Sequence, residues 1–283
     1  MRITEQLRAA AARLAQKDVE GLLSPRLEAE LLMARILDRP RSFLFSHGES
    51  ALSEAQASKF QTLLERRLDG EPIAYLTGTR AFWNLDLIVG PGVLIPRAET
   101  ELLVEAALQR MTPDTPLRVA DLGTGSGAIA LALASERPAA RLIATDVSEA
   151  ALEIARQNAR RNGLENVAFL CSDWLTGLEG HFDLVVSNPP YVAIDDPHLD
   201  RGDCRFEPRG ALTPGPDALS AYRTIIIQAR DHIVSGGWLL FEHGFDQAAS
   251  VRGLLETSGY VQIQTYRDLQ GHERMTLGQL PRE

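Results

Sequence analysis

The chain has 283 residues, 45% of them hydrophobic and 24% charged, an ordinary globular composition with room for one or two domains. Its formal net charge of −9 argues against a broad electrostatic grip on DNA or RNA, and lysine occurs only at Lys17 and Lys59, so the basic residues are nearly all arginine. The two cysteines, Cys171 and Cys204, can build neither a disulfide framework nor a zinc site alone, which leads us to expect a reducing cytoplasm.

No apolar run approaches the ~18 residues of a membrane span, and the first residues lead into an amphipathic pattern and not a signal core. From residue 1 to about 70 the pattern is helical. Ile3, Leu7, Ala10, Ala11 and Leu14 recur on one helix face. Ser24-Pro25 reads as an N-cap followed by proline at the first helical position. Ser53-Glu54-Ala55-Gln56 is a capping box ahead of Phe60, Leu63, Leu64 and Leu68. Residues 1–71 are therefore expected to form a small helical domain. Residues 72–96 lose the helical period. Phe82 to Val89 partly alternate, Gly90-Pro91-Gly92 follows, and Val93-Leu94-Ile95 comes next, a pattern that predicts a β-hairpin linker with a glycine turn.

A helix is expected over 100–111, with Glu99 and Glu101 at its positive end. From Leu117 onward strands and helices alternate. Strands are expected over 118–121, 141–145, 167–170, 182–186, 237–242, 261–266 and 274–280, with helices up to Arg137, after Ser148, over 218–234 and over 247–258. Residues 97–283 thus read as an α/β domain, a largely parallel sheet with helices on both faces.

Asp121-Leu122-Gly123-Thr124-Gly125-Ser126-Gly127 falls where the first strand of that sheet turns into its helix. Glycines there let backbone approach a ligand, with free N–H groups at the helix start. A structural turn, a nicotinamide site or a phosphate site would give a similar pattern, although the spacing departs from G-x-G-x-x-G. Asp146 ends the second strand, 19 residues after Gly127. Its carboxylate can accept both hydroxyls of a ribose or cap the next helix, and Ser148 is available for the second task. Asp173-Trp174 follows the third strand, where an adenine ring would lie, and Trp174 serves equally as core packing. The series of glycine loop, acid after strand two and acid after strand three resembles class I S-adenosylmethionine methyltransferases over residues 117–280. That resemblance implies a Rossmann-like, mostly parallel seven-stranded sheet and S-adenosylmethionine as methyl donor, without a metal.

The strand ending at Ser187 runs into Asn188-Pro189-Pro190-Tyr191. A stiff turn is the plain reading, but the tetrapeptide lies at the C-terminal end of a strand, where open α/β sheets bind ligands. The Asn188 side-chain oxygen and the Pro189 carbonyl can accept both N–H bonds of a planar –NH₂ group, and Tyr191 offers an aromatic face. The motif selects a planar nitrogen and also occurs in adenine-N6 methyltransferases, which leaves a nucleic-acid amine as the alternative acceptor.

Ile95-Pro96-Arg97-Ala98-Glu99-Thr100-Glu101, the 121–127 loop, the 188–191 motif, Phe206-Glu207-Pro208, Glu242-His243-Gly244, Arg267-Asp268 and Glu273-Arg274 together resemble the HemK/PrmC family over nearly the whole chain. Ala98 departs from the proline usual there. The resemblance implies a protein-(glutamine-N5) methyltransferase acting on the Gly-Gly-Gln motif of class I peptide chain release factors, with a helical substrate-recognition domain over 1–71. It implies donor binding by Gly123, Thr124, Gly125, Ser126, Gly127, Asp146, Asp173, Trp174 and Asn188, and glutamine binding by Asn188, Pro189, Pro190 and Tyr191. It implies neither a membrane nor a nucleic-acid substrate. Arg97 remains either structural or substrate-facing. The long connection over 191–219 reads as a solvated loop or, from its position, a lid over substrate. The six histidines are scattered without ligand spacing.

Overall fold

The structure, a computed structural model, describes residues 2–17 and 19–282. It divides into two compact units, residues 1–79 with 200–206, and residues 80–199 with 207–283.

The first unit contains α1 (Ile3–Gln16), α2 (Pro25–Leu37), α3 (Arg41–Ser46), α4 (Glu54–Leu68) and α5 (Ile73–Thr77). The apolar stripe of α1, Ile3, Leu7, Ala10 and Leu14, is buried with Leu32 and Met33 of α2 and Phe60 and Leu64 of α4. The Ser24 hydroxyl caps α2, and the Ser53–Gln56 capping box closes in both directions at 3.0 and 3.2 Å. Arg67 and Glu28, both buried, pair at 2.7 Å between α4 and α2. Residues 200–206 belong here although they lie far along the chain. Gly202 N–H donates to Glu20 at 3.0 Å, and the Arg205 guanidinium donates to the Asp69 carbonyl at 3.2 Å.

The second unit begins at Arg80, within the first strand of the hairpin β1 (Thr79–Phe82) and β2 (Leu85–Ile88), which a 3-10 turn (Ala98–Thr100) and α6 (Glu101–Leu108) follow. The hairpin turns at Trp83-Asn84 and not at the glycines, and Val93-Leu94-Ile95 forms no strand. Tertiary bonds hold the tighter turn. Trp83 N–H donates to Glu101 at 2.9 Å, its indole N–H donates to Glu136 at 2.8 Å, and Trp83 takes a φ of 56°.

The remaining strands and α-helices are β3 (Arg118–Leu122), α7 (Ala128–Glu136), β4 (Arg141–Asp146), α8 (Glu149–Arg161), β5 (Val167–Cys171), β6 (Phe182–Ser187), α9 (Arg209–Leu212), α10 (Ser220–Arg230), β7 (Ile233–Glu242), α11 (Ala248–Thr257), β8 (Val261–Arg267) and β9 (Glu273–Gln279). Among the described residues the sheet has seven strands in the order β5-β4-β3-β6-β7-β9-β8, with β9 antiparallel to both neighbours. Residues 128–134 of α7 are buried throughout, as an all-apolar helix against a sheet must be. One core lies under α6 and α7, and a second under α10 and α11. The expected helix over 218–234 stops at Arg230, because Ile233 begins β7 and pairs with Phe182. The chain builds outward through β3, β4 and β5, then returns to the other side of β3 with β6. That reversal opens a crevice at the C-terminal ends of β3 and β6, the usual ligand position in such sheets.

Candidate active site

The glycine loop is fastened from beneath by Asp121. Its Oδ2 accepts the Thr124 hydroxyl at 2.6 Å and the Ala130 N–H at 3.1 Å. Burial pushes the carboxyl up to about 6, against the hydrogen bonds of Thr124 and Ala130 that hold it down. Gly123 has φ +70°, and a Cβ there would stand 3.2 Å from the Trp174 ring. Gly127 has φ +87°, and a Cβ would meet Leu131 at 3.0 Å and Ala155 at 3.3 Å. These positions require glycine for close approach and for helix packing respectively.

Asp146, at the tip of β4, accepts the Gly125 N–H through Oδ2 and the Ser148 N–H through Oδ1, each at 2.9 Å. The Ser148 hydroxyl caps α8 by accepting from Ala151 N–H at 3.2 Å, so the cap role falls to Ser148. Each Asp146 oxygen keeps a lone pair beyond its one backbone bond. Trp174 adopts φ 55°, with its carbonyl held by the Thr145 hydroxyl at 3.1 Å.

Gly123, Gly125, Asp146, Trp174, Asn188 and Pro190 line a cavity of about 240 Å³, walled further by Leu94, Val147 and Ala151. Thr124 and Ser126 instead line a smaller adjoining hollow with Arg97, Thr100 and Asn188. Gly127 packs into α7, and Asp173 is exposed and outside both linings. Pro189 is buried, and Tyr191 is half-buried against the second core.

The Asn188–Tyr191 segment is pinned on every side. The Ser187 hydroxyl donates to the Leu122 carbonyl at 2.7 Å, tying the ends of β6 and β3. Gln247 donates to the Tyr191 carbonyl at 2.9 Å, and Tyr191 N–H donates to Leu212 at 3.2 Å. Asn188 Nδ2 donates to the Thr100 hydroxyl at 3.3 Å. Burial pushes the Tyr191 hydroxyl far above its ordinary range, and the nearby Glu242 carboxylate adds to the shift. Burial likewise raises the Glu242 carboxyl to about 7, opposed by a hydrogen bond from Thr100 and by the Arg274 charge. Arg97 pairs with the buried Glu207 at 2.5 Å, whose other oxygen accepts Ile95 N–H at 2.9 Å. Glu207 thus joins the 95–97 segment to the chain entering Pro208, Gly210 and Ala211, which also line the cavity.

Sequence reasoning passed over Asp121, Thr100, Glu207 and Glu242 as site residues. Glu242 carried a usable signal, since it ends β7 beside β6 just as Asp146 ends β4. His243 is buried and committed to Thr276 at 2.8 Å and to the Gly244 carbonyl at 2.9 Å. Among the described residues no three His, Cys, Asp or Glu side chains gather as a metal site, and no helix is long and apolar enough to cross a membrane.

The donor set suits S-adenosylmethionine. Gly123 and Gly125 admit close backbone approach, Asp146 offers acceptors for ribose hydroxyls, and Trp174, Leu94, Val147 and Ala151 give apolar walls for a flat base. A mostly parallel seven-stranded sheet with one reversed strand, carrying this crevice at its switch point, defines a class I S-adenosylmethionine-dependent methyltransferase. Residues 5–78 match the PrmC N-terminal domain, and residues 98–200 match the methyltransferase small domain. The release factor glutamine methyltransferase of Xylella fastidiosa strain Temecula1 is 53% identical over 257 residues, covering 90% of this chain and 94% of that protein. Its counterpart in Escherichia coli K12 is 48% identical over 256 residues, covering 90% and 92%. The chain belongs to the release factor glutamine methyltransferase family. In fold alone it is similar to solved structures of a methyltransferase from Pyrococcus furiosus, with TM-score 0.53, 19% identity and coverage of 79% of this chain and 100% of that one. It is likewise similar to the 16S rRNA N2 G1207 methyltransferase of T. thermophilus, with TM-score 0.54, 21% identity and coverage of 71% and 49%.

Proposed function

We propose that this chain methylates the side-chain amide nitrogen of the glutamine in the Gly-Gly-Gln motif of class I peptide chain release factors, with S-adenosylmethionine as donor. The observation that carries the reading is the position of Asn188-Pro189-Pro190-Tyr191. The motif leaves the tip of β6 with Asn188 and Pro190 on the wall of the cavity that Asp146 and the glycine loop also line. Asn188, Pro189, Pro190 and Tyr191 hold the glutamine. Gly123, Gly125, Asp146, Trp174 and Asn188 face the donor, Thr124, Ser126 and Gly127 shape its loop, and Asp173 stands at its outer edge.

When bound, S-adenosylmethionine supplies a methyl group already activated on a sulfonium. The chain's own task is therefore alignment. An amide nitrogen shares its lone pair with the carbonyl and attacks poorly. Acceptors at Asn188 and the Pro189 carbonyl hold its two N–H bonds and favour the charge that develops on nitrogen. Positioning of this kind can contribute much of the ~7–11 kcal/mol open to well-oriented reactions. The motif holds no strong base. A quaternised amide nitrogen is acidic enough to release its proton to an adjacent oxygen or water.

The helical unit, with its own core and caps, contacts the release factor, and the net charge of −9 favours a protein over a nucleic-acid acceptor. A cytoplasmic location completes the reading, since two thiols with no disulfide between them suit a reducing compartment. Transfer of labelled methyl to purified release factor, with DNA and RNA as parallel acceptors, tests it. Label in the release factor alone supports the assignment, and label in nucleic acid with none in the protein overturns it.

A further inference from the structure

We propose that Phe245 is a specificity-determining contact for the substrate peptide, with its ring receiving the glycine-bearing main chain next to the reactive glutamine. The inference rests on the reading of the substrate as the Gly-Gly-Gln segment of a release factor, and extends it to a residue outside Asn188–Tyr191.

The position follows from the sheet. Ser187 pairs with Phe241, so β6 and β7 end side by side and the residues after them emerge at the same end of the sheet. Phe245 stands three residues past Glu242, the end of β7, so at most ~11 Å of chain separates them. Gly244 to Gln247 form a closed turn. Gln247 N–H donates to the Gly244 carbonyl at 3.0 Å, and Gly244 N–H donates in return to Gln247 Oε1 at 3.1 Å. That leaves Nε2 of the same carboxamide as a donor, and it reaches the Tyr191 carbonyl at 2.9 Å. The turn that carries Phe245 is thus fastened to the motif that holds the glutamine.

The ring is fixed but not covered. The Arg274 guanidinium lies over it, 5.7 Å from the centroid, and the His272 ring is 5.7 Å away at 48°. Asp268 holds both neighbours, accepting from Arg274 Nε at 3.2 Å and from the His272 main-chain N–H at 2.9 Å. Phe245 nevertheless remains 62% exposed. A scattered exposed aromatic needs no explanation. This one sits at the catalytic end of the sheet, on a turn closed by main chain and side chain, and beside an anchored cation. Aromatic and arginine side chains held in this way carry much of the binding energy at protein contacts, because few torsions are lost on binding.

The neighbouring motif sets the occupant. A glutamine side chain held by Asn188 and Pro189 brings its own main chain to the rim, and two glycines span up to ~7 Å beyond it. Without Cβ atoms, their peptide planes can lie flat on a ring. Larger residues would hold the main chain away from it. Phe245 therefore reads the two glycines, while Asn188–Tyr191 read the amide.

The test uses the full chain. Phe245→Ala should raise KM about tenfold or more, for release factor and for a short Gly-Gly-Gln peptide alike. The kcat and the affinity for S-adenosylhomocysteine should hold, the signature of a lost binding contact. Phe245→Trp, which keeps an aromatic face, should restore KM. Replacing both glycines of the peptide by alanine should raise KM in wild type, and this discrimination should shrink in Phe245→Ala. Unchanged KM in Phe245→Ala would overturn the proposal, as would undiminished discrimination. Fluorescence anisotropy of a labelled Gly-Gly-Gln peptide on the S-adenosylhomocysteine complex separates this inference from the function beneath it. A peptide that binds more weakly to Phe245→Ala than to wild type, yet is never methylated, contradicts the function and supports the contact. A peptide methylated equally well by wild type and Phe245→Ala does the reverse. If a variant fails to fold, the Phe245 ring resonances of wild type decide. They should shift when peptide is added, and the lack of a shift would overturn the contact.

Discussion

Asp146 Oδ2 accepts the Gly125 N–H at 2.9 Å, so the carboxylate at the tip of β4 grips the glycine loop across the cavity. One side chain thus offers acceptors to a ribose and holds the backbone that lies against the rest of the donor. Charge-assisted hydrogen bonds of this kind are worth roughly 1.5–3 kcal/mol each. Asp146→Ala is expected to weaken S-adenosylhomocysteine binding at least tenfold, about 1.4 kcal/mol, with the fold retained. Isothermal calorimetry reads this directly, and an unchanged affinity would return Asp146 to loop and helix support alone.

Asp121 gives a pH dependence of stability. Burial raises its carboxyl from 3.8 to about 6, so between those values the folded chain binds this proton and the unfolded chain does not. A raised folded value means a contribution fully present below about 3.8 and lost as pH rises through about 6. The stability of wild type relative to Asp121→Asn should therefore fall across that window and then level off. Urea unfolding of both proteins at several pH values measures it, and a constant difference would refute the shift.

In the helical unit, Arg67 and Glu28 meet at 2.7 Å with neither side chain appreciably exposed. Removing one partner leaves a buried charge, a loss of about 3–5 kcal/mol. Glu28→Ala should unfold the helical unit at markedly lower denaturant while S-adenosylhomocysteine affinity persists, since every residue lining the cavity belongs to the other unit. Release-factor methylation should then fall much more than methylation of a short Gly-Gly-Gln peptide. Equal loss on both would contradict the docking role.

Asn188→Ala removes one of two acceptors for the –NH₂ group. By analogy with loss of one positioned transition-state hydrogen bond, turnover should fall about 10²–10³-fold. Release-factor KM should change little, because most of that interface lies outside four residues. Steady-state kinetics separates the two effects, and a raised KM at full kcat would make Asn188 a simple binding contact.

Much of this was legible in the residues because local signals and burial agree. The α1 stripe, the Ser53 capping box and the strand–helix alternation after Leu117 each rest on a period that the core enforces. The β1–β2 turn was misread because Gly90-Pro91-Gly92 carries the stronger local turn signal. Long-range bonds from Trp83 to Glu101 and Glu136 outweigh it. Asp173 looked equivalent to Asp146 by position, but Asp146 is the last residue of β4, whereas Asp173 lies two residues beyond the edge strand β5 and is exposed. Thr100 was hidden for a different reason: its contact with Asn188, 88 positions away, is made by the fold and leaves no local pattern.

The most direct measurement is mass spectrometry of the Gly-Gly-Gln peptide recovered from a release factor incubated with this protein and S-adenosylmethionine. One added methyl on the glutamine side-chain nitrogen is expected, with none on a release factor whose glutamine is replaced by glutamate. An unmodified glutamine, with methyl found on adenine of DNA or RNA offered in parallel, would contradict the assignment.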